Sequence, residues 1–326
     1  MNARDRSVDE ALADAGAAID GASTVALACH INPDGDALGS MLGLLHVLRA
    51  DGRKVVASFP SPFQVAPHYR ELPGLDLLTK PADFPAAPEV MVTFDCGSFA
   101  RLGELEANAR AAGTLIVLDH HVSNTRYGTI NVIDPDAAAS GVLVRRLIDQ
   151  LGLPLTDHAA VALYAALVCD TGRFQYDTTT PRVFDLAREL VEYDVPVSRL
   201  SRQLFEEHRF AYLKLLSEAL ANAELDLERR FVWTAVTQDL LERHDVTVEE
   251  VEGLIDILRR TREAEVTCVI KEEPVGHGVR VSLRSLGDAD VRAIAESQGG
   301  GGHRFAAGFE SMLPIPEVVE RIRAAL

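Results

Sequence analysis

The first part of the chain alternates short continuous apolar runs with longer stretches of helical spacing. TVALAC (24–29), KVVASF (54–59), EVMVTF (89–94) and TLIVL (114–118) fill successive positions with apolar residues, which marks strands buried on both faces. Residues 8–20, 37–50 and 99–111 carry the spacing of helices. Ser7 and Glu10 fit a capping box ahead of the first, and Gly52 lies just past the end of the second. Residues 60–74, rich in Pro, His and Tyr, read as a loop or a short irregular helix. Buried strands alternating with helices predict an α/β domain, a parallel sheet flanked by helices. Helices are expected next at 139–151, 157–169, 181–193 and 198–222, the last as a linker. Beyond it, strands at 231–236, 265–273 and 279–285 and helices at 247–260, 288–297 and 315–325 predict a smaller α+β domain. The expected layout is a first domain over 1–197, a helical linker over 198–224 and a second domain over 225–326, with the site in the cleft between the domains. A length of 326 residues agrees with two cores rather than one.

Ligands of such sheets bind beyond the carboxyl ends of the strands. Three apolar runs deliver metal-ligand residue types to that edge: His30-Ile31-Asn32-Pro33-Asp34-Gly35-Asp36, Asp95, and Asp119-His120-His121. Asp170 closes the apolar run VALYAALVC. Each has a structural reading when taken alone. Asp34-Gly35 is a turn dipeptide, Asp95 can cap a helix, Asp119 can cap a loop, and a lone histidine is more often structural than a ligand. Their joint placement favours metal binding. The charges of Asp34, Asp36, Asp95 and Asp170 would offset two divalent ions, and mixed nitrogen and oxygen ligation suits Mn(II) better than calcium. Two such ions can generate a hydroxide and clamp a phosphoryl group, so the chain reads as a metal-dependent hydrolase.

Composition narrows the choice. A net charge of −17 is opposite to what tracking long nucleic acid requires, so a polyanionic substrate would be short and held by local arginines. No apolar run is long enough for a membrane span and the N-terminus lacks a secretory signal, so a cytoplasmic protein is expected. Cys29, Cys96, Cys169 and Cys268 show no CxxC spacing and read as buried small hydrophobes. The glycines at 299–302 can be a flexible linker or an anion cradle. Their compact setting, with His303 adjacent and Arg284 at a strand end, favours the cradle.

HINPDGDALGS, FDCGS, DHH and DTGRF, in that order, resemble the four motifs of the DHH phosphoesterase family. VSLRS with DVRAIAESQGGGGHRFAAG resembles the family's DHH-associated substrate domain, so the likeness covers nearly the whole chain. The short layout is similar to the branch of bifunctional oligoribonucleases and pAp phosphatases (nanoRNase A-like proteins). The resemblance implies one metal on His30, Asp34 and Asp95 and a second on Asp36, Asp95, His120 and Asp170. Asp119 and His121 would be catalytic, Asp119 orienting the site and His121 meeting the scissile phosphate. Arg284, Ser285, Gly300, Gly301, Gly302 and His303 would bind the substrate. The implied partners are short RNA, pAp, and linear or cyclic dinucleotides, with no membrane; the sequence leaves the oligomeric state open, a homodimer included. The alternatives are a cyclic di-AMP or pApA phosphodiesterase, a manganese pyrophosphatase, a single-strand DNA exonuclease, and a nucleotide-binding sensor without catalysis. Gln298 departs from the apolar or aromatic residue expected before the glycines.

Overall fold

In the computed structural model, residues 7–274 and 276–326 are described, and the chain divides into two compact units that meet between Leu204 and Phe205. The first unit opens with α1 (Val8–Gly21), where Ser7 and Glu10 form the expected capping box. Then follow β1 (Thr24–Cys29), α2 (Gly35–Ala50), β2 (Lys54–Ser58), β3 (Val90–Phe94), α3 (Glu106–Ala111) and β4 (Thr114–Asp119). A 3-10 segment, Phe99–Leu105, precedes α3, so the helix expected over 99–111 is α-helical only in its second half. β5 (Ile130–Ile133), α4 (Ser140–Gln150), α5 (Asp157–Asp170), α6 (Pro181–Leu190) and α7 (Val197–Phe205) complete it. Among the described residues the sheet has the order β2-β1-β3-β4-β5, and every pairing is parallel. α2 and α4 pack on one face of the sheet. Leu102, Leu105 and Ala109 join Ala26, Ala28, Met91, Leu115 and Val117 in a core on the other. The chain leaves β1 toward β2 and returns to its other side as β3. The crevice of an open parallel sheet lies at such a reversal, and His30 and Asp95 follow the two strands that flank it.

A close helix pair completes that crevice. A Cβ on Gly39 would lie 2.3 Å from the Ala162 carbonyl oxygen, one on Gly43 2.7 Å from Leu163, and one on Gly35 2.3 Å from the Cys169 sulfur. Glycine every fourth residue therefore lines the face of α2 that meets α5 and lets the two backbones approach. The contacts run in opposite chain directions, so the start of α2 meets the end of α5. Asp34 and Asp36 are thereby brought to Asp170 by helix packing, although more than 130 residues separate them in sequence.

The second unit contains α8 (Phe210–Ala221), β6 (Glu224–Asp226), β7 (Phe231–Val236), α9 (Gln238–His244), α10 (Leu254–Leu258), β8 (Val266–Glu272), β9 (Val279–Ser285), α11 (Val291–Ser297), β10 (Gly301–His303), β11 (Ala306–Ser311) and α12 (Ile315–Ala325). Its sheet has the order β10-β11-β9-β8-β7-β6 and is antiparallel except between β7 and β8. Cys268, Ile270, Val281, Leu283 and Phe309 pack on one face with α11 and α12. On the other, Val232, Val236 and Val269 pack against α8, α9 and α10. The stretch expected as one linker helix is two: α7 ends at Phe205, and 206–209 separate it from α8. Arg209, in extended conformation, is held there by Asp245 and Glu250. Tyr212, Leu215 and Ala219, on one face of α8, belong to the second unit's core.

Candidate metal centre

His30 follows β1 on a loop whose Asn32 is left-handed (φ 50°). Its Nδ1 faces the carbonyl of Ile31 at 2.8 Å, which fixes that nitrogen as the donor and presents Nε2 to the crevice. Nε2 lies 3.5 Å from Asp95 Oδ2 and 3.9 Å from Asp34 Oδ2. Asp34 serves two ends at once. Its Oδ1 accepts from the backbone N–H groups of Asp36 and Ala37 and caps α2, and its Oδ2 faces His30. One oxygen of Asp34 thus caps the helix, and the other is left on the crevice side facing His30.

His120 is built the same way. Nδ1 faces the Ala137 carbonyl at 3.0 Å, and Nε2 lies 3.1 Å from Asp170, 3.6 Å from Asp95 Oδ1 and 3.8 Å from Asp36. Asp95 turns out of β3 with φ 53°, a conformation aspartate tolerates, while its N–H still pairs with Leu118. That turn sends its two oxygens in different directions, Oδ2 to His30 and Oδ1 to His120. The candidate ligand atoms of His30, Asp34 and Asp95 lie within 4.8 Å of one another, as do those of Asp36, His120 and Asp170. His121 Nδ1 contacts Asp119 at 2.7 Å, and Asp119 is held from its other oxygen by Asn124.

The electrostatics call for cations. Asp36, Asp95 and Asp119 are nearly or fully buried, and His30 and His120 are the buried imidazoles within reach of Asp36 and Asp95. Burial, with the charges of Asp95 and Asp170, pushes the Asp36 carboxyl well above the usual carboxylate range. Burial also opposes a charged His120, but Asp170, Asp95 and Asp36 outweigh it and raise the imidazole well above its ordinary value. For His121, burial is outweighed by Asp95 and Asp119, and its pKa is pushed up to about 9. Burial resists ionisation of Asp95 too, yet His121, His30 and His120 hold it well below the usual range. The donor set thus takes up protons where cations of higher charge would fit, and two imidazole nitrogens and four carboxylates suit divalent ions. Burial pushes the thiols of Cys29 and Cys169 well above their ordinary value, so neither competes as a thiolate.

Several residues around these ligands carry no obvious sequence signal. Ser140 Oγ donates to Asp95 Oδ1 at 3.0 Å, and the Ser140 and Gly141 N–H groups donate to Asp36 at 2.5 and 3.0 Å. Ser40 Oγ donates to the same Asp36 carboxylate. Their sequence trace is only the serine that begins a helix after Ala137-Ala138-Ala139.

In the second unit, β9 alternates buried and half-exposed residues, and Arg284 lies on the half-exposed side. Ala306 pairs with both Arg284 and His303, so Arg284 and His303 share one row across β9, β11 and β10. Arg284 has no carboxylate within 4.0 Å among the described residues; its guanidinium donates to the carbonyl of Leu283. Ser285 is not part of this row. It is buried, and its Oγ accepts from the N–H of Gly287. The last two glycines of the run and His303 form a hairpin strand, which glycine's poor strand propensity concealed.

Residues 24–167 match the DHH family, N-terminal domain, and residues 231–326 match the DHHA1 domain. A bifunctional oligoribonuclease and PAP phosphatase of Thermus thermophilus is 30% identical over 303 residues, spanning 92% of this chain and 88% of that protein. The chain belongs to the DHH family. A second DHH relative, the bifunctional oligoribonuclease and PAP phosphatase of Bacillus subtilis, is 28% identical over 87% of this chain and 88% of its own length. The crystal structure of an exopolyphosphatase-related protein from Bacteroides fragilis superposes with a TM-score of 0.87 at 22% identity, covering 97% of this chain and 95% of that one. The likeness shows that the two chains share a fold over that span. No helix among the described residues is long and apolar enough to cross a membrane.

Proposed function

We propose that this DHH-family phosphoesterase hydrolyses short 5′-phosphorylated oligoribonucleotides to nucleoside 5′-monophosphates and removes the 3′-phosphate of pAp to give AMP. The observation that carries the chemistry is Asp95, whose two oxygens face two separate histidine–carboxylate groups. The substrate choice is supported by the relatives matched over most of their length, which bear the name oligoribonuclease and PAP phosphatase. His30, Asp34 and Asp95 would hold one divalent ion, and Asp36, Asp95, His120 and Asp170 a second, with Mn(II) as the preferred metal. When bound, the ions supply Lewis acidity and a water of lowered pKa.

The chain's own residues supply the rest. Asp119 fixes His121 through Nδ1 and leaves Nε2 as the nitrogen that meets the scissile phosphate and protonates the leaving oxygen. Arg284 and His303, with the glycines at 300–302, hold the terminal nucleotide through its 5′-phosphate. One arrangement then serves both reactions, because the phosphorus on the 3′-oxygen carries a nucleoside in RNA and only oxygens in pAp.

The test is product analysis of the purified protein with Mn(II) on pAp, pApA, cyclic di-AMP and pyrophosphate in parallel. AMP from both pAp and pApA is the expected result. Cleavage of pyrophosphate alone, or of the cyclic dinucleotide alone, would overturn the substrate assignment and keep the metal chemistry. Asp95→Ala should abolish turnover on every substrate, and retained activity would refute the metal assignment.

A further inference from the structure

Ser140 is fully buried and opens α4; among the described residues its hydroxyl hydrogen-bonds Asp95, while its backbone N–H bonds Asp36. Its hydroxyl donates to Oδ1 of Asp95, the oxygen that faces His120, and not to Oδ2, which faces His30. Its N–H donates to Asp36 Oδ2, the oxygen 3.8 Å from His120. Both hydrogen bonds therefore support the His120 group, and neither reaches Asp34 or His30.

An aspartate carboxylate rotates over a broad, soft torsion, so its orientation is set by what binds its oxygens. With ions in place, Nε2 of His30 and His120 would be coordinated and carry no proton, so neither could donate to Asp95. The Nδ1 proton of His121 is already given to Asp119 at 2.7 Å, against 3.4 Å to Asp95. The Ser140 hydroxyl is then the protein donor left on the Asp95 side chain among the described residues.

We propose that Ser140 is a positioning residue that makes the two metal positions unequal, by fixing Asp95 and Asp36 toward the His120 side. This rests on the two-ion reading given above. Removing the hydroxyl weakens the ion on the His120 side more than the one on the His30 side, where Asp34 and His30 keep their own contacts. Support from residues around a ligand is typically worth about 10–100-fold in metal affinity.

The test is calorimetric binding of Mn(II) to the metal-stripped full-length protein. His30→Ala and His120→Ala, each removing one event, assign the two events. Ser140→Ala should weaken the His120 event about tenfold and leave the other within about twofold, and Ser140→Thr should restore it. Should Ser140→Ala not fold, as judged by thermal unfolding, Ser140→Cys keeps the volume with a weaker donor and should weaken the same event. Two wild-type events with the His120 event unchanged in Ser140→Ala, or with both events weakened alike, would overturn the proposal and spare the two-ion reading. A wild-type protein that binds fewer than two ions would overturn that reading and this proposal with it.

Discussion

Gly301 is the glycine of the 299–302 run that the fold itself does not require. Gly302 has φ 136°, and a Cβ on Gly300 would lie 2.2 Å from the Gly308 carbonyl oxygen, so both are fixed by their own surroundings. A Cβ on Gly301 would meet nothing within 4 Å, and its backbone lies outside the left-handed region. On the proposed reading, close approach of a ligand accounts for the glycine there. Gly301→Ala should therefore unfold within about 0.5 kcal/mol of wild type while KM for pAp rises about tenfold, the loss of ~1.4 kcal/mol of contact. An unchanged KM would remove Gly301 from the substrate surface. A second residue-scale expectation concerns Lys271, 1% exposed, whose Nζ lies 2.6 Å from Glu252. Burial opposes ionisation of Glu252, but Lys271 and Arg280 outweigh it and hold its carboxyl below 4.5. A depressed carboxylate stabilises the fold above its unfolded pKa, and the gain is lost as pH falls through the folded value. Breaking a buried pair costs about 3–5 kcal/mol, and water reaching the 41%-exposed Glu252 reduces that to about 2. Glu252→Gln should lower the stability of the second unit by that amount at pH 7, and the difference should shrink as pH falls through the folded pKa of Glu252. A difference that does not shrink as the pH is lowered would show that packing, not charge, is what the substitution removes.

At the scale of elements, the seam between α2 and α5 decides whether the carboxylates meet. Alanine in place of Gly39 would gain about 1 kcal/mol of helix propensity. Against that stands a Cβ 2.3 Å from a backbone oxygen, which no rotamer change relieves. Overpacking costs about 1–3 kcal/mol or more, so Gly39→Ala should be net destabilising by roughly 2 kcal/mol. At Gly43 the nearest atoms belong to the Leu163 side chain, which can move, and Gly43→Ala should cost less. Denaturant unfolding of the two variants gives the comparison, and a Gly43→Ala as damaging as Gly39→Ala would argue against the backbone seam. Because Asp36 and Asp170 ride on the two helices, Gly39→Ala should also bind Mn(II) more weakly. The same elements show why part of the fold was legible in the chain. β1, β3 and β4 are continuous apolar runs, and the residues after them inherit a place at one edge of the sheet, so His30, Asp95 and the Asp119–His121 cluster could be grouped without coordinates. β5 is four residues long and half-buried, α9 seven residues long, and β10 two glycines and a histidine, so none carries a periodic pattern. Ser140 and Asn124 act through hydrogen bonds to residues distant in the chain or around a turn, which hydrophobic spacing does not encode. The four-residue glycine spacing of α2 is the exception, a signal present in the sequence that becomes meaningful only beside α5.

For the molecule as a whole, the net charge of −17 sets which substrates arrive easily. Proteins that grip long nucleic acid lose affinity steeply as salt rises, because their lysines and arginines release condensed counterions. On the proposed reading the grip falls to Arg284 and His303, while every nucleotide beyond the first few adds a negative charge to be held against a protein of net charge −17. Local attraction to the terminal phosphate acts over a few ångströms and is shared by all substrates. Repulsion of the trailing strand acts over the Debye length, about 30 Å at 10 mM salt and about 8 Å at 150 mM. Low salt should therefore penalise long substrates selectively. The ratio of kcat/KM for a dinucleotide over that for a 5′-phosphorylated oligonucleotide several times longer should be larger at 10 mM than at 150 mM salt, with Mn(II) saturating in both. The absolute rate on pAp should change little over the same range. A ratio that instead shrinks at low salt, with the long strand favoured, would reveal a basic track for nucleic acid and recast the protein as an enzyme of long strands.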